Sequence, residues 1–165
     1  EVPGAKDVAI EFHSLSKTYN MTGWRIGWAA GSAELVGGLG QVKNNVDSGV
    51  FQAVQVAGIA ALTGDQEPVR AMGRLYRERR EVLTTGLEAA GLSAFPSTAS
   101  FYVWVRLPAG LKSADFCAKL LQDSGIVATP GNGFGPSGEG YARFALVQEA
   151  ERLKEAAGRL AELKF

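Results

Sequence analysis

The chain is expected to adopt a mixed α/β fold, and three features of its sequence point there. Short apolar runs alternate with helical stretches through the first half. A long amphipathic stretch then runs from near Pro68 to Ala90. Beyond it the hydrophobic pattern changes to period two before returning to helical spacing. The order strand–helix–strand–strand–helix behind a long connecting helix predicts a sheet with helices packed on one side.

Each element has a local reason. Val8-Ala9-Ile10-Glu11-Phe12 is a strand-like apolar run, and Ser14-Leu15-Ser16-Lys17-Thr18 reads as the polar loop that follows it. Asn20-Met21-Thr22-Gly23 is turn-like, so a second strand is expected from Trp24 to Ala30. Ser32 suits the N-cap of a helix from Ala33 to near Lys43. A second helix, rich in Ala, Val and Gln, should run from Val50 to Leu62 and stop at Gly64. Pro68 suits the start of the long helix and Gly91 its close. Phe101, Val103 and Val105 should face one way, and Tyr102, Trp104 and Arg106 the other. Ser113 is expected to cap a helix reaching about Gln122. Ile126 to Thr129 should form a short strand ending at Pro130-Gly131, Tyr141 to Val147 the last strand, and Glu149 to Lys164 the last helix.

Bulk properties remove several function classes. The 165 residues fit one domain, or the end of a larger one plus a small domain. Lysine and arginine number 17, as do aspartate and glutamate, so no broad basic field is available for nucleic acid or an anionic membrane. Cys117 is the single cysteine. That excludes an intramolecular disulfide, argues against a metal site, and fits a reducing, cytoplasmic setting. No apolar run approaches the roughly 18 residues of a spanning helix. The chain opens Glu1-Val2-Pro3-Gly4 and is soon in an apolar run, as expected of a fragment or of a chain freed from a tag.

Three residues could carry chemistry. Lys17 sits among Ser14, Ser16 and Thr18 just after an apolar strand. A lysine in a desolvated pocket can lose its proton and attack a carbonyl; otherwise it is a solvated loop lysine. In Gly23-Trp24-Arg25-Ile26-Gly27-Trp28, strand alternation would place Arg25 between two glycines, with room for something flat and anionic. Arg25 with the hydroxyls of Ser14 and Ser16 would make a phosphate site. The alternative is a surface arginine whose neighbouring glycines serve close packing. Arg143 is the one charge in the apolar run Tyr141-Ala142-Arg143-Phe144-Ala145-Leu146-Val147. It needs an anionic partner, either a distant acid or a ligand carboxylate.

Two stretches resemble a known family. Ser14-Leu15-Ser16-Lys17 followed by Met21-Thr22-Gly23-Trp24-Arg25-Ile26-Gly27 resembles the lysine signature of class I/II aminotransferases, of the fold-type I pyridoxal-phosphate-dependent superfamily. Pro130-Gly131-Asn132-Gly133-Phe134-Gly135 through Gly140-Tyr141-Ala142-Arg143-Phe144 resembles their carboxylate-arginine segment. Lys43-Asn44-Asn45-Val46-Asp47-Ser48-Gly49-Val50-Phe51-Gln52 is most similar to the LL-diaminopimelate aminotransferase branch. The resemblance covers essentially the whole chain.

The resemblance implies a fold: residues 1–64 as the end of the large cofactor-binding domain, and residues 65–165 as an α+β carboxy-terminal small domain. It implies pyridoxal 5'-phosphate as cofactor, carried by Lys17 as a Schiff base, with the cofactor phosphate held by Ser14, Ser16 and Arg25. Arg143 would bind the substrate α-carboxylate. The activity implied is transfer of an amino group between an amino acid, such as LL-diaminopimelate or aspartate, and a 2-oxo acid, in a homodimer without metal. Ser48 and its neighbours would lie near the partner subunit. The family's chains are much longer, and the ring contacts of the cofactor would lie outside these residues, so this stretch alone is not expected to transaminate. Carbon–sulfur lyase chemistry on the same scaffold, an aminotransferase-like sensor domain and an inert truncation are the alternatives.

Other signals have plainer readings. Gly131 to Pro136 resembles a nucleotide-binding loop, but a strand rather than a helix follows it, so a turn shaping the site is expected. His13 is expected to be a packed or half-exposed histidine, and Cys117 a small core residue. Arg70, Arg74, Arg77, Arg79 and Arg80 read as a solvated helix face, and Trp24, Trp28 and Trp104 as packing residues.

Overall fold

The computed structural model describes residues 2–163. The chain forms two compact units that divide between Ala71 and Met72, inside its longest helix. Among the described residues, no helix is long and apolar enough to cross a membrane.

The first unit contains α1 (Ala5–Val8), β1 (Ile10–Ser14), α2 (Leu15–Thr18), β2 (Gly27–Gly31), α3 (Ala33–Val46) and α4 (Gln52–Thr63), followed by the start of α5 (Glu67–Ala89). β1 and β2 pair antiparallel, with Ser14 opposite Gly27 and Ile10 opposite Gly31. Two expectations need correction here. Residues 15–18 form a single helical turn rather than a loop, because the Ser14 side chain accepts a hydrogen bond from Ser16 N and caps it. The second strand starts at Gly27, not Trp24, because Thr22–Trp24 forms a 3-10 turn and Arg25 takes a left-handed backbone, φ 52°. Ser32 precedes α3 as expected but makes no side-chain cap bond. The buried hydrophobic side chains of this unit are Leu15 and Met21, while Val42, Val46, Phe51, Val56 and Ile59 on and around α3 and α4 are exposed.

The second unit has a fuller core. Its sheet runs in the order β3 (Ser93–Ala94), β4 (Tyr102–Arg106), β6 (Tyr141–Ala145), β5 (Thr129–Pro130), all neighbours antiparallel. Alternation in β4 and β6 sends Val103, Val105, Ala142 and Phe144 to one face. There they meet Leu83 and Leu87 of α5, Phe116, Cys117 and Leu120 of α6 (Ser113–Ser124), and Leu153 and Leu160 of α7 (Ala150–Ala161). Each buried leucine contributes about 1.5–3 kcal/mol. Cys117 is a small member of this core, and burial pushes its thiol pKa up. The helices therefore pack on one side of the sheet. α5 closes as expected at Gly91, with Gly91 N donating to Glu88 O and Leu92 N to Leu87 O, both at 2.9 Å.

Several details differ from expectation. The strand placed at Ile126–Thr129 is Thr129–Pro130, and the last strand ends at Ala145. The last helix ends at Ala161; Lys164, its expected end, lies outside the described residues. Arg79 is not on a solvated face. It is 6% exposed and pairs with Glu149, the N-cap residue of α7, at 2.8 Å. A charge occupies a core-facing position of α5 because an acid from another element reaches it.

The start of α6 is also capped differently. Ser113 is its first residue, and the cap comes from Glu139, whose Oε1 accepts from Ser113 N at 2.6 Å and Gly140 N at 3.1 Å. The Ser113 hydroxyl accepts instead from Gly140 N and Tyr141 N. These bonds, led by that from Ser113 N, hold the Glu139 carboxyl below its usual pKa. A depressed folded-state pKa adds stability above the unfolded value of about 4.3 that is lost as pH falls through the folded value. Glu139→Gln should therefore unfold at lower temperature than the parent at neutral pH, with the gap closing as the buffer is taken below about pH 4. Thermal unfolding monitored by circular dichroism checks this; a gap independent of pH would remove Glu139 from the cap.

Candidate active site

The first unit gathers the lysine loop. Ser14 ends β1, Leu15 is buried at 1% exposure and anchors the helical turn, and Leu15 N donates to Ile26 O at 3.2 Å. Thr22 Oγ1 donates to Ser16 O at 2.9 Å, and Arg25 Nη1 donates to Thr22 O at 2.8 Å. Ser14, Ser16 and Arg25 are thus tied into one short loop through Thr22. Thr22 is the member that sequence reasoning missed, since it stood in the sequence only as a turn residue. Because Ser14 Oγ accepts from Ser16 N, its own proton is left to donate elsewhere. The left-handed backbone at Arg25 costs of order 1–3 kcal/mol, and such strain collects at functional sites.

Two expectations for this loop fail locally. Strand alternation does not place Arg25 between two glycines, because Arg25 lies before the strand begins. Gly27 serves close strand approach instead: a Cβ there would lie 2.4 Å from His13 O. These residues do not enclose Lys17 in a pocket either, for it is exposed. Nearby, His13 stacks on Trp28 across the hairpin with ring centroids 4.1 Å apart and bonds Glu11. Trp24 is half exposed rather than packed.

The second unit holds Arg143 on the sheet face opposite the helices, across the register from Trp104. Its guanidinium carbon lies 3.9 Å from the Tyr102 ring centroid and 4.2 Å from that of Phe134. No ion pair or hydrogen bond reaches it from the described residues, and its Nε is buried without a partner. Arg79 supplies the contrast within the same unit. Although its Nε is also unpartnered, it has the Glu149 carboxylate and donates to Leu146 O. Arg79 finds an acid, and among the described residues Arg143 does not.

Phe134 reaches Arg143 from the glycine-rich turn. Residues 131–134 and 136–138 form two 3-10 turns, so the stretch is a turn beside Arg143 rather than a nucleotide loop opening a helix. The two ends touch through backbone: a Cβ on Gly131 would lie 2.1 Å from Gly138 O, and one on Gly138 2.0 Å from Gly131 O. Trp104 packs edge-on against Phe134, with centroids 5.3 Å apart.

These two clusters are the segments whose order resembled aminotransferases, and the comparisons agree. The pattern of the family "Aminotransferase class I and II" matches residues 3–160. The chain belongs to this family. LL-diaminopimelate aminotransferase of Aquifex aeolicus is 58% identical over all 165 residues, which span 43% of that relative. The same-named protein of Moorella thermoacetica is 51% identical over 97% of this chain and 41% of its own length. Among solved structures, a probable N-succinyldiaminopimelate aminotransferase of Thermus thermophilus superposes with TM-score 0.91 at 42% identity, covering 98% of this chain and 43% of that one. An aromatic aminotransferase of Pyrococcus horikoshii gives TM-score 0.88 at 28% identity, covering 97% of this chain and 44% of that one. The chain therefore spans well under half the length of the relatives it matches. The expected architecture, the end of a large domain with an α+β small domain, is the fold of these aminotransferases.

The turn carrying Phe134 is testable in this aminotransferase chain. Gly131→Ala forces backbone apart and should cost about 1–3 kcal/mol of unfolding free energy. Gly133→Ala, where a Cβ meets nothing within 4 Å, is the control and should cost much less. Equal denaturation midpoints for the two variants would contradict the close approach.

Proposed function

We propose that the full-length protein is a pyridoxal-phosphate-dependent aminotransferase, with LL-diaminopimelate as the amino donor and a 2-oxo acid as acceptor. The observation that carries the reading is Arg143: a partly buried guanidinium with no acid paired to it among the described residues. A cation so placed calls for a ligand anion, and its planar N–H edge matches a carboxylate in two parallel hydrogen bonds. The LL-diaminopimelate aminotransferases, at 51–58% identity, support the substrate. No observation favours the lyase, sensor or inert-truncation readings.

The residues of the lysine loop fit the cofactor by their chemistry. Two hydroxyls and a guanidinium, the Ser14 proton among them free to donate, are a donor set for a phosphate dianion. When bound, pyridoxal phosphate supplies an electron sink for the bonds at the substrate's α carbon. Ser14, Ser16 and Arg25 would hold the phosphate and so would limit what Lys17 Nζ can reach. Lys17 would hold the cofactor covalently through Nζ and would serve as the base that moves a proton at the substrate's α carbon. Arg143 holds the substrate carboxylate and thereby sets the orientation of the bond to be broken. With Lys17 exposed among these residues, any pocket around it would have to be supplied from outside them. We infer a cytoplasmic homodimer, supported by the exposed Val42, Val46 and Phe51 flanking Ser48.

In the full-length protein, Lys17→Ala should abolish the visible absorbance that pyridoxal phosphate acquires on covalent attachment; an unchanged spectrum would remove Lys17 from this role. Arg143→Ala should keep that absorbance but raise KM for both substrates at least tenfold, the scale of losing a charge-assisted pair of about 1.5–3 kcal/mol. Comparable loss of cofactor and substrate binding would contradict the assignment. LL-diaminopimelate should exceed aspartate in kcat/KM with 2-oxoglutarate as acceptor.

A further inference from the structure

The Arg143 guanidinium lies over two aromatic rings, those of Tyr102 and Phe134. We propose that Tyr102 and Phe134 are positioning residues, clamping Arg143 so that the Nη edge of its guanidinium is what an incoming carboxylate meets. This rests on the reading of Arg143 as the carboxylate anchor.

The geometry of the donors makes the argument. The N–H bonds of a guanidinium lie in its plane, and the Tyr102 and Phe134 rings, with centroids 3.9 and 4.2 Å from its central carbon, take none of them as hydrogen bonds. The aromatic faces attract the cation but leave its charge uncompensated. Nε is buried and unpartnered, and so is turned away from any ligand. The Nη groups also lack a hydrogen-bond partner among the described residues, yet they are not sealed off as Nε is. The Nη edge is what remains open to an anionic ligand.

Each ring is itself held. Tyr102 is part of β4, and its ring packs on that of Phe101 with centroids 4.4 Å apart. Phe134 is carried by the turn closed through Gly131 and Gly138 and is buttressed by Trp104. Burial does not explain Phe134, since it is 51% exposed. An arginine held in this way has already given up the rotamer freedom that a free one loses on binding its ligand. The rings should therefore strengthen carboxylate binding without contacting the carboxylate.

The test uses the full-length enzyme with bound cofactor and two probes: maleate for equilibrium binding and 2-oxoglutarate for steady-state kinetics. Phe134→Leu and Tyr102→Leu should each weaken maleate binding about tenfold, on the scale of ordering one long side chain together with a lost cation–ring contact. KM for 2-oxoglutarate should rise more than kcat falls, and the cofactor spectrum should not change. Tyr102→Phe, which keeps the ring, should bind maleate like the parent. In an Arg143→Ala background, Phe134→Leu should have no further effect. Parent-like maleate affinity in both leucine variants, with Arg143→Ala weak, would overturn the clamp and leave the carboxylate reading intact. Parent-like affinity in Arg143→Ala would overturn that reading, and the clamp with it. An equal effect of Phe134→Leu with and without Arg143 would also overturn the clamp. Phe134 is exposed on a turn closed by backbone, so its variant remains informative if Tyr102→Leu proves unstable.

Discussion

The register between β4 and β6 is the constraint from which the second unit follows. Val103 lies opposite Phe144 and Val105 opposite Ala142, and all four must be buried under the helices. A slip of one residue in either strand would turn that strand's pair outward. The same register sends Tyr102, Trp104, Tyr141 and Arg143 to the face that the core does not use. Hydrophobic burial on one side of the sheet thereby places a cation among aromatic rings on the other. The chemistry of Arg143 depends on a packing requirement to which Arg143 does not contribute.

The lysine loop has a different physical basis. Its unit buries little apolar surface of its own, and the loop is ordered by local hydrogen bonds instead: the Ser14 cap, the Thr22 bridge and the Arg25 return. Two non-glycine residues there, Asn20 and Arg25, have left-handed backbones. The chain keeps a side chain at position 25 where glycine would be less strained, and that is intelligible if the guanidinium is needed.

What could be read from the sequence depended on whether a pattern was periodic. Alternation at residues 101–106 and the amphipathic run before Gly91 both reported burial directly, and both faces and the helix end came out as expected. Arg143 could be singled out as a lone charge in an apolar strand, but its ring partners could not. Phe134 comes from an aperiodic turn, and a sequence does not show which ring such a turn delivers to which cation. Alternation was extended too far at Trp24–Ile26, where a tight turn of Thr22–Trp24 overrode strand preference. Arg79 differs for the opposite reason: its charge suggests solvent, whereas its position on α5 points inward and a distant Glu149 makes that tolerable. The cap of α6 is not legible locally, because a glutamate 26 residues away competes successfully with the obvious serine.

The closure of the 131–138 turn by glycine against glycine means that its shape is dictated by main chain and not by the residue at its crest. Position 134 is therefore separable from the architecture beneath it. Homologues could exchange that one side chain and adjust how firmly an acidic group is gripped, while the scaffold and the neighbouring catalytic equipment stay as they are. A fold built in this way can retune its appetite for a metabolite by a single codon.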